Sequence, residues 1–559
     1  MKSLEGQDSL RVSRQLLASL SDSLPAVRSF RGRWSAVSAK LGRLRASLDD
    51  LSDLPNLDSN PLSTDLLRSL NQTLGAALDL SLRCHAPDPP AGKLRTQSEI
   101  SAADGALDQH LADADLLLRT GALLEPPRVA ERPAPLPPGS RRELVRVEAR
   151  NLVTRLQIGG VASKNAALDE LIGLLQEDDK NVLIAAAQGA VPALVRLLDL
   201  PCPETKEKAV AAISRISSIE SCRHVLVAEG VPLLNHLARA LDSGCGVAKE
   251  KACLALQTLT LTKENARAFG SRGGICSLLE ICQAGTPSSQ AAAAGVLKNL
   301  AAIAEIRAAL AEESAVTVLV RMCSSGTVTA QENTIACLRN LSSGEGQDFK
   351  FSIYREGGVD CLKNYWDIDG RILEPAAGLL RNLASCKHIS DHLVAAGFVA
   401  RAVAALSSGS AATRTEAARA VHELANGSNK AAKEIGETGC IPRVVRMLEA
   451  KGSEEKEAAV MTLASLLTIA ENRRLFRKDD RGILNVVQLL DPLLPTVNKK
   501  YPISVLASVS QSSKCRKRMV EVGACGFLQR LVDMEVEGAR RLLEILGKGK
   551  MIWGVFTRT

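Results

Sequence analysis

The sequence predicts an all-α, right-handed superhelical solenoid preceded by a smaller helical bundle. Three observations predict it. A short motif recurs at a period near 42 residues. Apolar residues fall at helical spacing over most of the chain. Apolar residues make up 46% of the 559, yet aromatics only 3%, so the core must be built from Leu, Val, Ile and Ala. A chain this long exceeds one ordinary hydrophobic core, and side chains of that size suit helices stacked closely in an array.

The motif reads Gly-x-(Val/Ile)-Pro-x-Leu-Val-x-Leu-Leu. Its clearest copies start at Gly189 and Gly439, where Pro192 and Pro442 follow. Others begin at Gly230, Gly274, Gly358, Gly397, Arg481-Gly482-Ile483 and Gly523, with a degenerate copy at Ser314-Ala315-Val316. Taking the Val/Ile position as register gives residues 191, 231, 275, 316, 359, 399, 441, 483 and 525, in steps of 40 to 44. The Gly lets the chain leave one helix in a conformation that a Cβ opposes. The Pro fits the first turn of the next helix, where a missing N–H removes nothing. Leu and Val at i, i+3 and i+4 then form an apolar face. About 20 residues on, a further helix recurs as Ala-x-x-Leu-x-Asn-Leu, around Asn299, Asn340 and Asn382.

Three helices per repeat, with Gly-x-(Val/Ile)-Pro opening the second and the Asn-Leu element closing the third, resemble the armadillo repeat. The resemblance spans about Asn151 to Gly547. It implies a superhelix whose third helices line a long concave groove, and a non-enzymatic scaffold that binds protein segments in that groove.

Before the repeats, Val27, Phe30, Trp34, Val37, Leu41, Leu44, Leu48 and Leu51 step alternately by 3 and 4, giving one apolar seam. The spacing predicts a helix that packs on partners over Leu62–Leu82 and Ile100–Leu118. Ala86-Pro87-Asp88-Pro89-Pro90 interrupts the bundle, and six prolines between Glu125 and Gly139 read as a linker. The expected organisation is a bundle over 1–123, a linker over 124–140, about nine repeats over 141–547 and a basic, aromatic tail over 548–559. A helical leader ahead of armadillo repeats looks like a plant-type class, the armadillo-repeat-only proteins. That resemblance implies scaffolding around Rho-type small GTPases or their regulators in polarised growth, in the cytoplasm, the nucleus or peripherally at the plasma membrane.

Composition narrows the alternatives. The net charge of +8 is a mild excess of 70 basic over 62 acidic residues, and no basic stripe with interleaved aromatics marks a nucleic-acid interface. No apolar run reaches bilayer length and no secretory leader is visible. The fourteen cysteines form no Cys-x-x-Cys pair and follow the repeat, as small buried hydrophobes in a reducing compartment do. No phosphate loop or nucleophile elbow is present, so no enzyme and no cofactor is expected. His388 and His392 share a helix face but lack the further ligands a zinc ion needs, so no metal is expected either.

The expected partner-binding residues are Asn299, Asn340 and Asn382 with their preceding cations Lys298, Arg339 and Arg381. An Asn amide can bond both the N–H and the C=O of an extended peptide, and the cations favour an acidic ligand. The other reading is that the Asn side chains bridge adjacent repeats. Importin-α, an armadillo cargo receptor, uses a Trp four residues before the Asn; here those positions are Gly295, Ala336 and Gly378. A Trp/Asn ladder for basic localisation signals is therefore missing, which disfavours a nuclear import adaptor. The glutamates eight residues ahead of the ladder, Glu374 among them, fall in first turns of helices and need no further role. Ser98, three residues after Arg95, is the candidate phosphorylation site, in a loop beside the proline break.

Overall fold

Most copies of the motif are helix boundaries because a left-handed residue turns the chain there. Gly189, Gly397, Gly439 and Gly523 take φ of 85°, 81°, 77° and 85°. In two copies the turn residue stands one position earlier than expected: Gly273 and Gly357 carry the positive φ, not Gly274 and Gly358. The second glycine of each pair has a different job. A Cβ on Gly274 would meet the Phe269 ring at 2.4 Å, and one on Gly358 would meet Ile353 at 2.4 Å. The degenerate copy pays no heed to the missing glycine: Ser314 adopts φ 54° in its place.

The computed structural model describes residues 3–54, 57, 61–86, 92–120, 138–158, 160–479, 481–494 and 497–553, with side chains left out at 3–7, 61, 120, 138–140 and 548–553. The expected linker and the whole tail beyond 547 thus lie outside the described side chains. Among the described residues every regular element is helical. The chain divides into two compact units, residues 1–259 and 260–559, taken here in turn.

Unit 1 begins with four helices, α1 (Ser3–Ser23), α2 (Arg31–Ser52), α3 (Pro61–Arg83) and α4 (Lys93–Thr120). α1 packs on α3, and α2 on α4. The α2 seam is buried from Trp34 to Leu51, and Val27 before it is buried too, while Phe30 turns the chain at φ 58° and is half-buried. Against it lie Leu66, Leu70, Leu74, Leu107, Leu111 and Leu117. Two helices follow, α5 (Pro138–Gln157) and α6 (Val161–Glu177), then two triplets: α7 (Asp179–Ala187), α8 (Ala190–Leu197) and α9 (Pro203–Ser217); α10 (Arg223–Ala228), α11 (Gly230–Ser243) and α12 (Gly246–Leu259). α6 packs on α9 as α9 packs on α12. The α5–α6 pair therefore occupies the place of a repeat that lacks its first helix. It carries no motif copy, only the Leu168, Leu171, Leu174 and Leu175 periodicity, all buried. Ile158, just past α5, joins the buried cluster of the bundle.

Unit 2 holds seven triplets: α13 (Lys263–Gly270), α14 (Gly274–Ala284) and α15 (Pro287–Ala301); α16 (Ala304–Glu312), α17 (Ala315–Ser325) and α18 (Val328–Leu341); α19 (Asp348–Arg355), α20 (Gly358–Trp366) and α21 (Leu373–Ala384); α22 (Lys387–Ala395), α23 (Phe398–Ala405) and α24 (Ala411–Gly427); α25 (Asn429–Glu437), α26 (Cys440–Met447) and α27 (Ser453–Leu466); α28 (Ala470–Phe476), α29 (Gly482–Gln488) and α30 (Lys500–Val509); α31 (Ser513–Glu521), α32 (Ala524–Asp533) and α33 (Ala539–Trp553). Each third helix lies beside the next, α15 on α18 and so on to α30. Alanine makes that approach close: α15 buries Ala291, Ala292, Ala293 and Ala294 in one run. One repeat cannot cover its own apolar faces, so the stack supplies the core.

The cysteines depart from expectation at one place. Cys323 of α17 and Cys361 of α20 form a disulfide, their Cα atoms 6.1 Å apart. The stacking of successive second helices brings the two together, which sequence spacing alone does not reveal. The other twelve are free, eight of them buried as small hydrophobes.

Candidate functional site

The third helices α15, α18 and α21 carry the expected ladder, and each rung begins with backbone arithmetic. An Asn side chain near the C-terminal end of one third helix sits level with the last carbonyls of the preceding third helix, which have no partner within their own helix. Asn340 donates from Nδ2 to the Lys298 carbonyl at 2.9 Å, and Asn382 to the Arg339 carbonyl at 2.9 Å and to Ser342 Oγ at 3.1 Å. Asn299 donates to Thr260 Oγ1 at 3.1 Å. The amides thus bridge adjacent repeats. Asn382 is buried and spends both N–H bonds this way; Asn299 and Asn340 stay half-exposed.

The cations reach in the opposite direction, to the next repeat. Lys298 Nζ meets Asn333 Oδ1 at 2.9 Å, Arg339 pairs with Glu374, and Arg381 pairs with Glu416 at 2.6 Å. All three partners stand 35 residues further on. Glu374 consequently has a role beyond its helix dipole: it holds Arg339. Arg419 continues the lattice, 2.9 Å from Glu416 and 3.7 Å from Glu454, and Arg414 grips the buried Glu455 at 2.6 Å. These last pairs were not foreseen, because they sit outside the Asn positions; the recurrent Glu near each third-helix start was the available signal. Burial holds the Lys298 ammonium below its ordinary pKa, and Arg339 nearby acts in the same direction.

This lattice also explains the glycine at the position where an importin-α ladder carries Trp. A Cβ on Gly378 would lie 2.5 Å from Arg339 Cδ. The arginine stem, stretched towards Glu374, covers the surface on which an indole would stand.

The remaining sequence candidates fall elsewhere. Ser98 is exposed, but on the second turn of α4 and not in a loop, since that helix starts at Lys93. Arg95 is paired with Glu99 at 3.1 Å. His388 and His392 meet edge-on with ring centroids 5.8 Å apart, with Tyr354 at 5.2 Å from His392, in an aromatic cluster between α19 and α22. Among the described residues no group of three or more His, Cys, Asp or Glu is placed to hold a metal ion. Nor is any described helix long and apolar enough to cross a membrane.

Comparison with known proteins follows the same division. Residues 178–218 match the armadillo/β-catenin-like repeat model, and those residues are the triplet α7, α8 and α9. That triplet carries an armadillo repeat, within an all-α repeat solenoid. Residues 10–122, the four-helix leader ahead of the repeat array, match a domain of unknown function (DUF7032). The crystal structure of an engineered protein is 24% identical with a TM-score of 0.60, covering 72% of this chain and 98% of its own. A designed armadillo repeat protein is 20% identical over 42% of this chain and 99% of its own, with a TM-score of 0.38. Among curated proteins, none matches the chain significantly.

Proposed function

We propose that this armadillo protein is an interaction scaffold that holds an extended, acidic segment of a partner protein across the third helices α15 to α24. The observation that carries the reading is the one-per-repeat row of half-exposed cations, Lys298, Arg339 and Arg381, at the same turn of successive third helices. Packed helices stand about 8–10 Å apart and an extended strand rises about 3.3 Å per residue, so each repeat meets about three residues of such a segment. Lys298 is the anchor, because its partner Asn333 is neutral and does not compete with a ligand's carboxylate as a glutamate does. At Arg339 and Arg381 a partner carboxylate joins or displaces Glu374 and Glu416. Asn340 supplies the peptide-directed contact: its second N–H points to no acceptor among the described residues.

The plant-type resemblance adds Rho-type small GTPases and their regulators as the partners to test first, at the cytoplasmic face of the plasma membrane. The deciding experiment compares partners captured from cells by the full chain and by Lys298→Gln with Arg339→Glu and Arg381→Glu, with purified Rho-type GTPase as a second bait. Loss of the captured set in folded variants supports the groove. An unchanged set places the binding surface elsewhere.

A further inference from the structure

A second cleft lies in unit 1, between the exposed half of α5 and α7. It measures about 790 Å³. Val145, Leu183, Ile184 and Ala187 give it an apolar floor, and Leu183 is 41% exposed although it is a large aliphatic residue. Arg141, Arg142, Arg146 and Lys180 surround that floor. Acidic groups do not balance them. Asp178 lines the cleft but its carboxylate caps α7, accepting from the Lys180 N–H at 3.0 Å, and Glu143 is taken by Arg146 at 3.2 Å. Among the described residues no carboxylate stands within ion-pair distance of the Arg141, Arg142 or Lys180 side chains.

An apolar trough between two helices, rimmed by unbalanced cations, has the chemistry of a seat for an amphipathic helix. The residues at 180, 183, 184 and 187 share one face of α7, the i, i+3, i+4, i+7 pattern that meets a facing helix. We propose that this cleft docks an acidic amphipathic helix of a partner protein, its apolar stripe on Leu183 and Ile184 and its carboxylates on Arg141, Arg142 and Lys180. The site is separate from the third-helix ladder in residues and in the shape of ligand it takes. The scaffold would then hold an extended segment and a helical one at two independent places.

The test uses the full chain and a fluorescein-labelled probe of about 18 residues, five turns of helix, with leucine on one face and glutamate on the other. The expected result is saturable binding, weakened about a hundredfold by Arg141→Glu, Arg142→Glu and Lys180→Glu together and weakened by salt. Leu183→Ser should also reduce it, while Arg339→Glu in the ladder leaves it unchanged. Since all four residues are exposed, the variants should melt as the parent does. The proposal is overturned if the probe fails to bind, if a probe with lysine for glutamate binds equally, or if the charge-reversed chain binds undiminished. Binding to phosphatidylserine vesicles without binding to the probe, or concentration-dependent self-association that Leu183→Ser abolishes, also overturns it.

Discussion

Asn382 donates to the Arg339 carbonyl one repeat before it, while the Arg339 side chain reaches forward to Glu374 in the repeat of Asn382. Two consecutive third helices are thus stitched in both directions by neighbouring positions. The amide of Asn382 is buried and has both hydrogens engaged, so Asn382→Ala removes both bonds across the seam and leaves the Arg339 carbonyl only the Ser342 hydroxyl as a donor. Denaturant unfolding should show a loss of about 1–3 kcal/mol. Asn340→Ala, half-exposed, loses one bond to the preceding repeat and two long contacts from its neighbour Arg339, and should cost about 1 kcal/mol and leave the fold intact.

Arg381 and Glu416 are a well-placed pair of the lattice, at 28% and 13% side-chain exposure. A double-mutant cycle on Arg381→Ala and Glu416→Ala should give a coupling of about 1 kcal/mol that shrinks in high salt. A larger single loss is expected for Glu416→Ala, because Arg419 shares that carboxylate. Equal single losses would mean the Arg419 contact contributes nothing.

Two glycines should respond oppositely to alanine. Gly274→Ala puts a methyl into the Phe269 ring and should cost about 1–3 kcal/mol of stability. Gly173 lies inside α6 with nothing within 4 Å of its Cβ position, so Gly173→Ala should stabilise by about 0.5–1 kcal/mol. Thermal melting of the pair checks both signs.

Burial pushes the His110 and His422 imidazoles below their ordinary value of 6.5. Glu423 opposes the shift at His422, and Lys500 adds to it. Both rings fold neutral, so the unfolded chain binds more protons at low pH. Their contribution is therefore present above about pH 6.5 and lost as pH falls through the folded values. Unfolding free energy should be lower at about pH 5.5 than at about pH 7.5, and His422→Gln should reduce that slope.

What the residue pattern disclosed, and what it did not, divides along chain distance. The α2 seam and the second-helix motif are local: a period of 3 and 4, or a Gly followed by Val-Pro, states its own geometry. The α5–α6 pair has no such punctuation and reads only as generic helix. Asn340 and Arg339 advertise an amide and a cation, but the Lys298 carbonyl and Glu374 that engage them belong to other repeats. Which of the two Asn readings prevails in the free chain is decided by where the neighbouring backbone ends. The turn glycine escaped by one residue in Gly273-Gly274 and Gly357-Gly358, because either member of a glycine pair satisfies the pattern until the Phe269 ring and Ile353 are seen beside the second.

The forward reach of 35 residues shared by Lys298, Arg339 and Arg381 gives the lattice a translational symmetry along the chain. Excising one repeat in phase shifts the whole pattern by one unit cell and brings Lys298 opposite Glu374, a cation still facing an acceptor. Excision by any other length puts the seam that spans the cut out of step. Length variation in this array is therefore quantised: whole repeats can be lost or duplicated with their seams intact, whereas a few residues cannot.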